Sequence, residues 1–207
     1  DVTIPELREQ GFKGFYVAVG LQQASKLHVE GEELDGVVAG LDFLRSVNKG
    51  ELTKLEGETI VIGGGNAAID VARTALRLGS SKVSMYCLEK DEEMPTVPDE
   101  KDAGIEDGVV INNSWGPVRV IGEDGKVTGV EFRRCIAVRD ESGKFAPTFN
   151  EEEKIVVPCS NVLVAIGQRS AYGDVFKGTK AETPDGRLVE HDKVTFQTAE
   201  PDIFVGG

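Results

Sequence analysis

One junction constrains this chain more than any other: the apolar run Thr59-Ile60-Val61-Ile62 passes directly into Gly63-Gly64-Gly65-Asn66-Ala67-Ala68. The pattern is G-x-G-x-x-G/A, and its meaning depends on context: a strand before it, a helix after it and a second strand beyond. All three are present. Ala68, Ile69, Ala72, Ala75 and Leu76 recur at helical spacing as a buried stripe, with Arg73 and Arg77 on the wet side. Arg77 in the last turn and Gly79 beyond it are stop signals. Val83 to Leu88 then reads as the second strand. In such a turn Gly63 permits the tight bend, and Gly65 removes a side chain from the path of a pyrophosphate. Ala68 lets the helix pack close to the strand. Free amides at the helix N-terminus face the phosphates, where the helix dipole favours negative charge. A glycine turn serving packing alone is the plainer alternative, and the context weighs against it.

Glu89 closes the second strand, where an acidic residue accepts hydrogen bonds from the adenosine ribose hydroxyls. The text from Glu89 to Glu93 is Glu-Lys-Asp-Glu-Glu, and no arginine occurs between Arg77 and Arg119. A 2′-phosphate is best held by an arginine fork and is repelled by carboxylates. The expectation is therefore NAD(H), with NADP(H) the runner-up and Lys90 the residue most able to reverse the order.

The rest of the chain reads as α/β. Phe15–Gly20 is a short buried strand closed by glycine, and a helix is expected from about Val38 to Asn48. Lys49 to Glu58 looks like a linker, and a short helix is expected near Asp99–Asp107. From Val109 to Val157 the pattern changes to strands separated by hairpin signals at Glu123–Lys126 and Asp140–Gly143. The fold expected is a Rossmann-like parallel sheet with helices and an inserted antiparallel β-meander. Val162–Gly167 is again a buried strand ended by glycine, and it echoes Phe15–Gly20.

Composition narrows the function classes. A formal net charge of −13 repels nucleic acid and anionic membranes. No apolar run approaches the length of a membrane span, and no signal segment is visible at the start. Three widely spaced cysteines, Cys87, Cys135 and Cys159, suit reduced thiols in a cytoplasm, without a C-x-x-C pair for disulfide chemistry. Cys135 and Cys159 could meet across the meander, although isolated buried thiols are the simpler expectation. His28 and His191 are too few and too separated for a metal site. Trp115 beside Gly116-Pro117 reads as turn packing, and Asp185-Gly186 as a plain hairpin turn.

With these residues in place, the chain resembles the small subunit of glutamate synthase and related FAD-dependent pyridine-nucleotide oxidoreductases. The matching text is Val61 to Asp70, then Glu93-Met94-Pro95, then Ala165-Ile166-Gly167-Gln168. Ala18-Val19-Gly20, Glu30-Gly31-Glu32 and the final Ile203 to Gly207 match too. The resemblance implies two interleaved dinucleotide domains, with residues 1–54 and 172–207 as crossings of an FAD domain and 55–171 as the nucleotide domain. It implies FAD in a longer enzyme whose first glycine turn lies upstream of Asp1, and poor or no flavin binding by this segment alone. Gly63, Gly64, Gly65, Asn66 and Ala67 would frame the pyrophosphate, and Ala165, Ile166 and Gly167 would lie beside the nicotinamide. Asp70 falls where relatives carry an acid near that ring; pairing with Arg73 at i, i+3 is an equal alternative. Leu88-Glu89 stands where NADPH users of the family show paired arginines. The implied reaction is hydride transfer to the flavin and onward to iron–sulfur centres or a partner subunit, with no acid–base residue named. A dinucleotide sensor that changes a partner contact is the alternative of another class.

Overall fold

The computed structural model describes residues 2–184 and 186–207; Asp185, and with it the expected Asp185-Gly186 hairpin, lies outside them. In chain order the elements begin with α1 (Ile4–Glu9), β1 (Phe15–Val17), β2 (Gln23–Ala24), β3 (Val37–Ala39), α2 (Gly40–Asn48) and β4 (Glu58–Ile62). Next come α3 (Asn66–Arg77), β5 (Lys82–Tyr86), a 3-10 turn at Asp91–Glu93, α4 (Pro98–Glu106) and β6 (Val110–Asn112). The meander is β7 (Trp115–Glu123), β8 (Lys126–Arg139) and β9 (Phe145–Pro158). Last are β10 (Asn161–Val164), β11 (Gln168–Arg169) and β12 (Ile203–Val205). The chain forms two compact units, Ala24–Gly167 and Asp1–Gln23 with Gln168–Gly207.

The larger unit is built on a five-stranded parallel sheet in the order β3-β10-β4-β5-β6. Its central strands are apolar on both faces because both faces are covered. The side-chain alternation of a strand sorts the residues. Val61, Val83, Met85 and Leu163 join Phe43 of α2 and Ala68, Ile69, Val71, Ala72 and Ala75 of α3 in one core. Ile60, Ile62, Tyr86, Val162 and Val164 point the other way, into a second core with Val120, Val127, Val130 and Phe132 of the meander. Tyr86 and Phe132 stack there with centroids 4.2 Å apart.

The meander is antiparallel in the order β7-β8-β9. Its first hairpin turns through Asp124 and Gly125, both in left-handed backbone, as a two-residue turn requires. At the second, the Asp140 carboxylate accepts hydrogen bonds from the amides of Ser142 and Lys144, and Gly143 takes positive φ. Both expected hairpins are thus present. The expected helix at Val38 begins later, at Gly40, because Val37–Ala39 is an edge strand in parallel register with Val162–Val164.

The smaller unit pairs β1 with β12 in parallel, Phe15 opposite Ile203 and Val17 opposite Val205. Ile4, Phe15, Phe176, Val189 and Ile203 form its core. Arg8 grips Asp202 through two hydrogen bonds of 2.8 and 2.7 Å and reaches Glu200 at 3.2 Å. That guanidinium holds the Asp202 carboxyl below the usual carboxylate range. Among the described residues no helix is long and apolar enough to cross a membrane.

A candidate dinucleotide site

The site lies at the C-terminal edge of the parallel sheet, where β4 is flanked by β5 on one side and β10 on the other. This is a switch point of the kind where open α/β sheets bind ligands. The three glycines of the turn have different reasons to be glycine. Gly63 has φ +146°, and a methyl group on it would lie 2.3 Å from the Ala165 carbonyl oxygen. Its identity is fixed by the fold. On Gly64 a methyl would come within 2.8 Å of a Glu89 carboxylate oxygen and 3.0 Å of the Cys87 Cβ. Gly65 is the N-cap of α3 with extended backbone (φ −94°, ψ 176°), and no atom lies within 4 Å of where its methyl would be. Neither backbone strain nor packing explains a glycine at that position; an approaching ligand does.

The amides agree with that reading. Gly63 N–H donates to the Tyr86 carbonyl, and those of Ala68 and Ile69 to the Gly65 carbonyl. Those of Gly64, Gly65, Asn66 and Ala67 find no acceptor among the described residues. Four free donors at the start of a twelve-residue helix are a ready anion site. Ala68 is fully buried against β4, as close helix–strand packing demands. Asn66 and Ala67 are exposed. The Asn66 side-chain oxygen accepts from Thr96 Oγ1 at 2.7 Å and Val97 N at 2.8 Å, which ties the loop after β5 to the helix start. Sequence reasoning did not find that tether.

The remaining expected residues fall on either side of the turn. Glu89, half-buried, stands over Gly64; its backbone carbonyl is held by Ser114 N at 2.9 Å. Lys90 is exposed at the head of the 3-10 turn. On the other flank, Ala165 lies against Gly63, Ile166 is 41% exposed and Gly167 takes φ +110°. Asp70 is exposed on the first turns of α3, and its expected alternative pairing with Arg73 is not formed. Arg73 binds Asp107 at 2.6 Å and Glu100 at 3.6 Å. It thereby holds the Asp107 carboxyl below the usual range.

The thiols do not form a redox pair. Cys87 and Cys159 are buried, and desolvation pushes each up to about 12. For Cys87 the nearby Glu89 charge adds to the effect. Cys135 packs beside Phe149 while Cys159 hydrogen-bonds near Thr128, far along β8, so the two cannot meet across the meander. The Arg134 guanidinium lies over the Trp115 ring, 4.3 Å from the ring centroid.

What sequence reasoning also missed is an arginine. The tip of β8 brings Arg139 into one cavity with Glu89, Lys90 and Glu93. Arg139 donates to the Gly143 carbonyl. Neither it nor Lys90 has a carboxylate partner among the described residues.

A strand, a bare turn with free amides, a helix and a carboxylate at the next strand's tip together define a dinucleotide-binding α/β domain. The chain matches the family model described as Pyridine nucleotide-disulphide oxidoreductase over residues 5–207, and it belongs to that family. It is 31% identical over 211 residues to the NADP(+)-dependent formate dehydrogenase subunit beta of Moorella thermoacetica, covering 100% of this chain and 29% of that one. It is 30% identical over 221 residues to the Glutamate synthase [NADPH] small chain of Halomonas elongata, covering 100% of this chain and 46% of that one. The chain thus spans less than half the length of these curated relatives. Its fold matches that of Mycobacterium tuberculosis FprA in complex with NADPH, with a TM-score of 0.75 at 20% identity, over 100% of this chain and 60% of that one. The expected family and the expected sheet-plus-meander architecture are both borne out.

Proposed function

We propose that this chain is the nucleotide-delivering part of a flavin-dependent oxidoreductase, passing hydride from NADH to FAD and on to iron–sulfur centres or a partner subunit. The observation that carries the reading is the open space over Gly65 beside four unpartnered amides. The diphosphate takes those amides, and the adenosine ribose hydroxyls donate to Glu89. The other end of the dinucleotide runs toward Ala165–Gly167, where small or exposed residues leave a face of the nicotinamide free. The chain's own work is to bind, orient and leave that face open; the flavin supplies the hydride acceptor. Among the described residues only one strand–glycine–helix turn of this kind occurs, so FAD in this reading is held mainly by the remainder of its own domain. The preference for NADH rests on the Glu89 carboxylate at the ribose and on the absence of arginine at Leu88-Glu89.

A specific observation favours a second reading, NADPH. Among the described residues Lys90 and Arg139 form no ion pair with a carboxylate, and both line the cavity that Glu89 borders; the relatives named above carry NADP or NADPH in their names. Titrating NADH and NADPH by calorimetry separates the two. Tighter NADH binding supports the first reading, tighter NADPH binding the second, and binding of neither removes both.

A further inference from the structure

Glu89 lies beyond the end of β5 at Tyr86, outside the strand itself. Among the described residues its carboxylate accepts no hydrogen bond and forms no ion pair. That carboxylate nevertheless stands beside the glycine turn, with one oxygen 2.8 Å from where a methyl on Gly64 would be. Its place is therefore set through its backbone, and the junction between β6 and β7 holds that backbone. Cys87 N–H donates to the Asn112 carbonyl at 3.2 Å, Trp115 N–H to the Cys87 carbonyl at 2.8 Å, and Ser114 N–H to the Glu89 carbonyl at 2.9 Å. Ser114 takes left-handed backbone at φ +63°, which a serine keeps only where its surroundings over-determine it.

Asn113 adds a second grip. Its side-chain Nδ2 donates to the Glu89 carbonyl at 3.3 Å and to the Cys87 sulfur at 3.4 Å. A carboxamide nitrogen carries two hydrogens, and here each has its own acceptor, one on either side of Leu88. The Cys87 thiol, kept protonated because burial pushes it up to about 12, donates to the same Glu89 carbonyl at 3.7 Å. Asn113 is anchored in turn: its own carbonyl accepts from Arg134 Nη1 at 3.5 Å, and that guanidinium lies over the Trp115 ring.

We infer that Asn113 is a positioning residue: bridging Cys87 and Glu89, it aims the Glu89 carboxylate at the ribose edge of the dinucleotide site without itself touching the nucleotide. The inference rests on the dinucleotide reading above and deepens it, because the group that aims the carboxylate stands 24 positions further along the chain. A carboxylate already aimed receives the ribose hydroxyls without first losing loop and side-chain freedom, and the difference appears as affinity. Removing the Asn113 amide leaves the Glu89 carbonyl its bond from Ser114, so that carbonyl is not orphaned and the fold survives.

The test uses the full-length protein, with Asn113→Ala and Asn113→Leu made alone and in a Glu89→Ala background. Leucine keeps the branched outline of the side chain and removes both donors, which guards against a loss of packing in the alanine variant. NADH affinity is read by calorimetry, and flavin reduction by its steady-state constants. Either substitution alone should weaken NADH about threefold to tenfold, the scale of one neutral hydrogen bond, with KM raised and kcat kept. In the Glu89→Ala background neither should weaken it further, because the carboxylate they aim is gone. A merely structural disturbance would weaken binding in both backgrounds, and that result would overturn the inference. Wild-type affinity in both single variants, or a loss that falls on kcat, would overturn it too while leaving the dinucleotide reading intact. If Glu89→Ala itself bound NADH as tightly as the wild type, the ribose assignment would fail and the inference with it.

Discussion

Gly65→Ala separates a glycine kept for the fold from one kept for a ligand. The backbone at Gly65 is extended and open to any L-residue, and nothing stands within 4 Å of the added methyl. Two small effects on stability oppose each other. A glycine N-cap is better than alanine by about 1 kcal/mol or less, and removing glycine freedom from the unfolded chain returns about 0.4–1 kcal/mol. The net is within about 1 kcal/mol, which moves the melting temperature by roughly 2–4 °C at this chain length. Binding is different. The methyl occupies the space through which a diphosphate reaches the free amides of Gly65, Asn66 and Ala67. Losing two hydrogen bonds to a charged group costs about 3–6 kcal/mol, or roughly a hundredfold to ten-thousandfold in affinity. A thermal melt beside a calorimetric titration with NADH measures both. A melt within a few degrees of the wild type, with affinity lost, is the expected pair. A nearly unchanged melt with affinity kept would show that the bare backbone at Gly65 does not serve the ligand.

Other outcomes follow from the same geometry. Gly63→Ala should fail in the opposite way: its methyl meets the Ala165 carbonyl at 2.3 Å in left-handed backbone. The melt should fall by the equivalent of at least about 1–3 kcal/mol of strain. Glu89→Ala should weaken NADH by about 1.5–3 kcal/mol at most, the worth of one hydrogen bond to a charged group, without changing the melt. Under the NADPH reading, Arg139→Ala should weaken NADPH and spare NADH, a ratio that paired titrations read directly. Native Cys87 and Cys159, pushed up to about 12 by burial, should resist alkylation at pH 8 and react only after denaturation, which mass spectrometry of the labelled protein would show. Asp202 and Asp107 sit below the usual carboxylate range because arginines hold their charged forms. Their contribution is present above the ordinary carboxylate pKa and is lost as pH falls through their depressed values. Asp202→Asn should therefore flatten the acid limb of a stability–pH curve.

Much of this was legible in the sequence because it is local. The strand, turn and helix from Thr59 to Arg77 carry their own periodicity, and the hairpins at Asp124-Gly125 and Asp140–Gly143 carry their own turn chemistry. The place of Glu89 after the second strand is legible too, and the structure sets its carboxylate beside Gly64. What stayed hidden depends on pairing between distant segments. Val37–Ala39 is too short to show a period, and only its register beside Val162–Val164 makes it a strand. With it, α2 belongs to the unit from Ala24 to Gly167, a placement that no composition shift before residue 55 announces. Arg139 and Phe145 lie in a hairpin tip, far from Glu89 along the chain. Only the length and bulged register of β8 and β9 bring them to it. Arg139 is therefore invisible to a search of the text around Glu89, whereas Lys90 is not.

A crystal structure with bound NADH decides whether the turn after β4 holds the diphosphate. Diphosphate oxygens should lie at hydrogen-bond distance, about 2.7–3.2 Å, from the amides at the start of α3, with the adenosine ribose on the Glu89 carboxylate. A dinucleotide bound elsewhere, with that turn left empty, would contradict that placement.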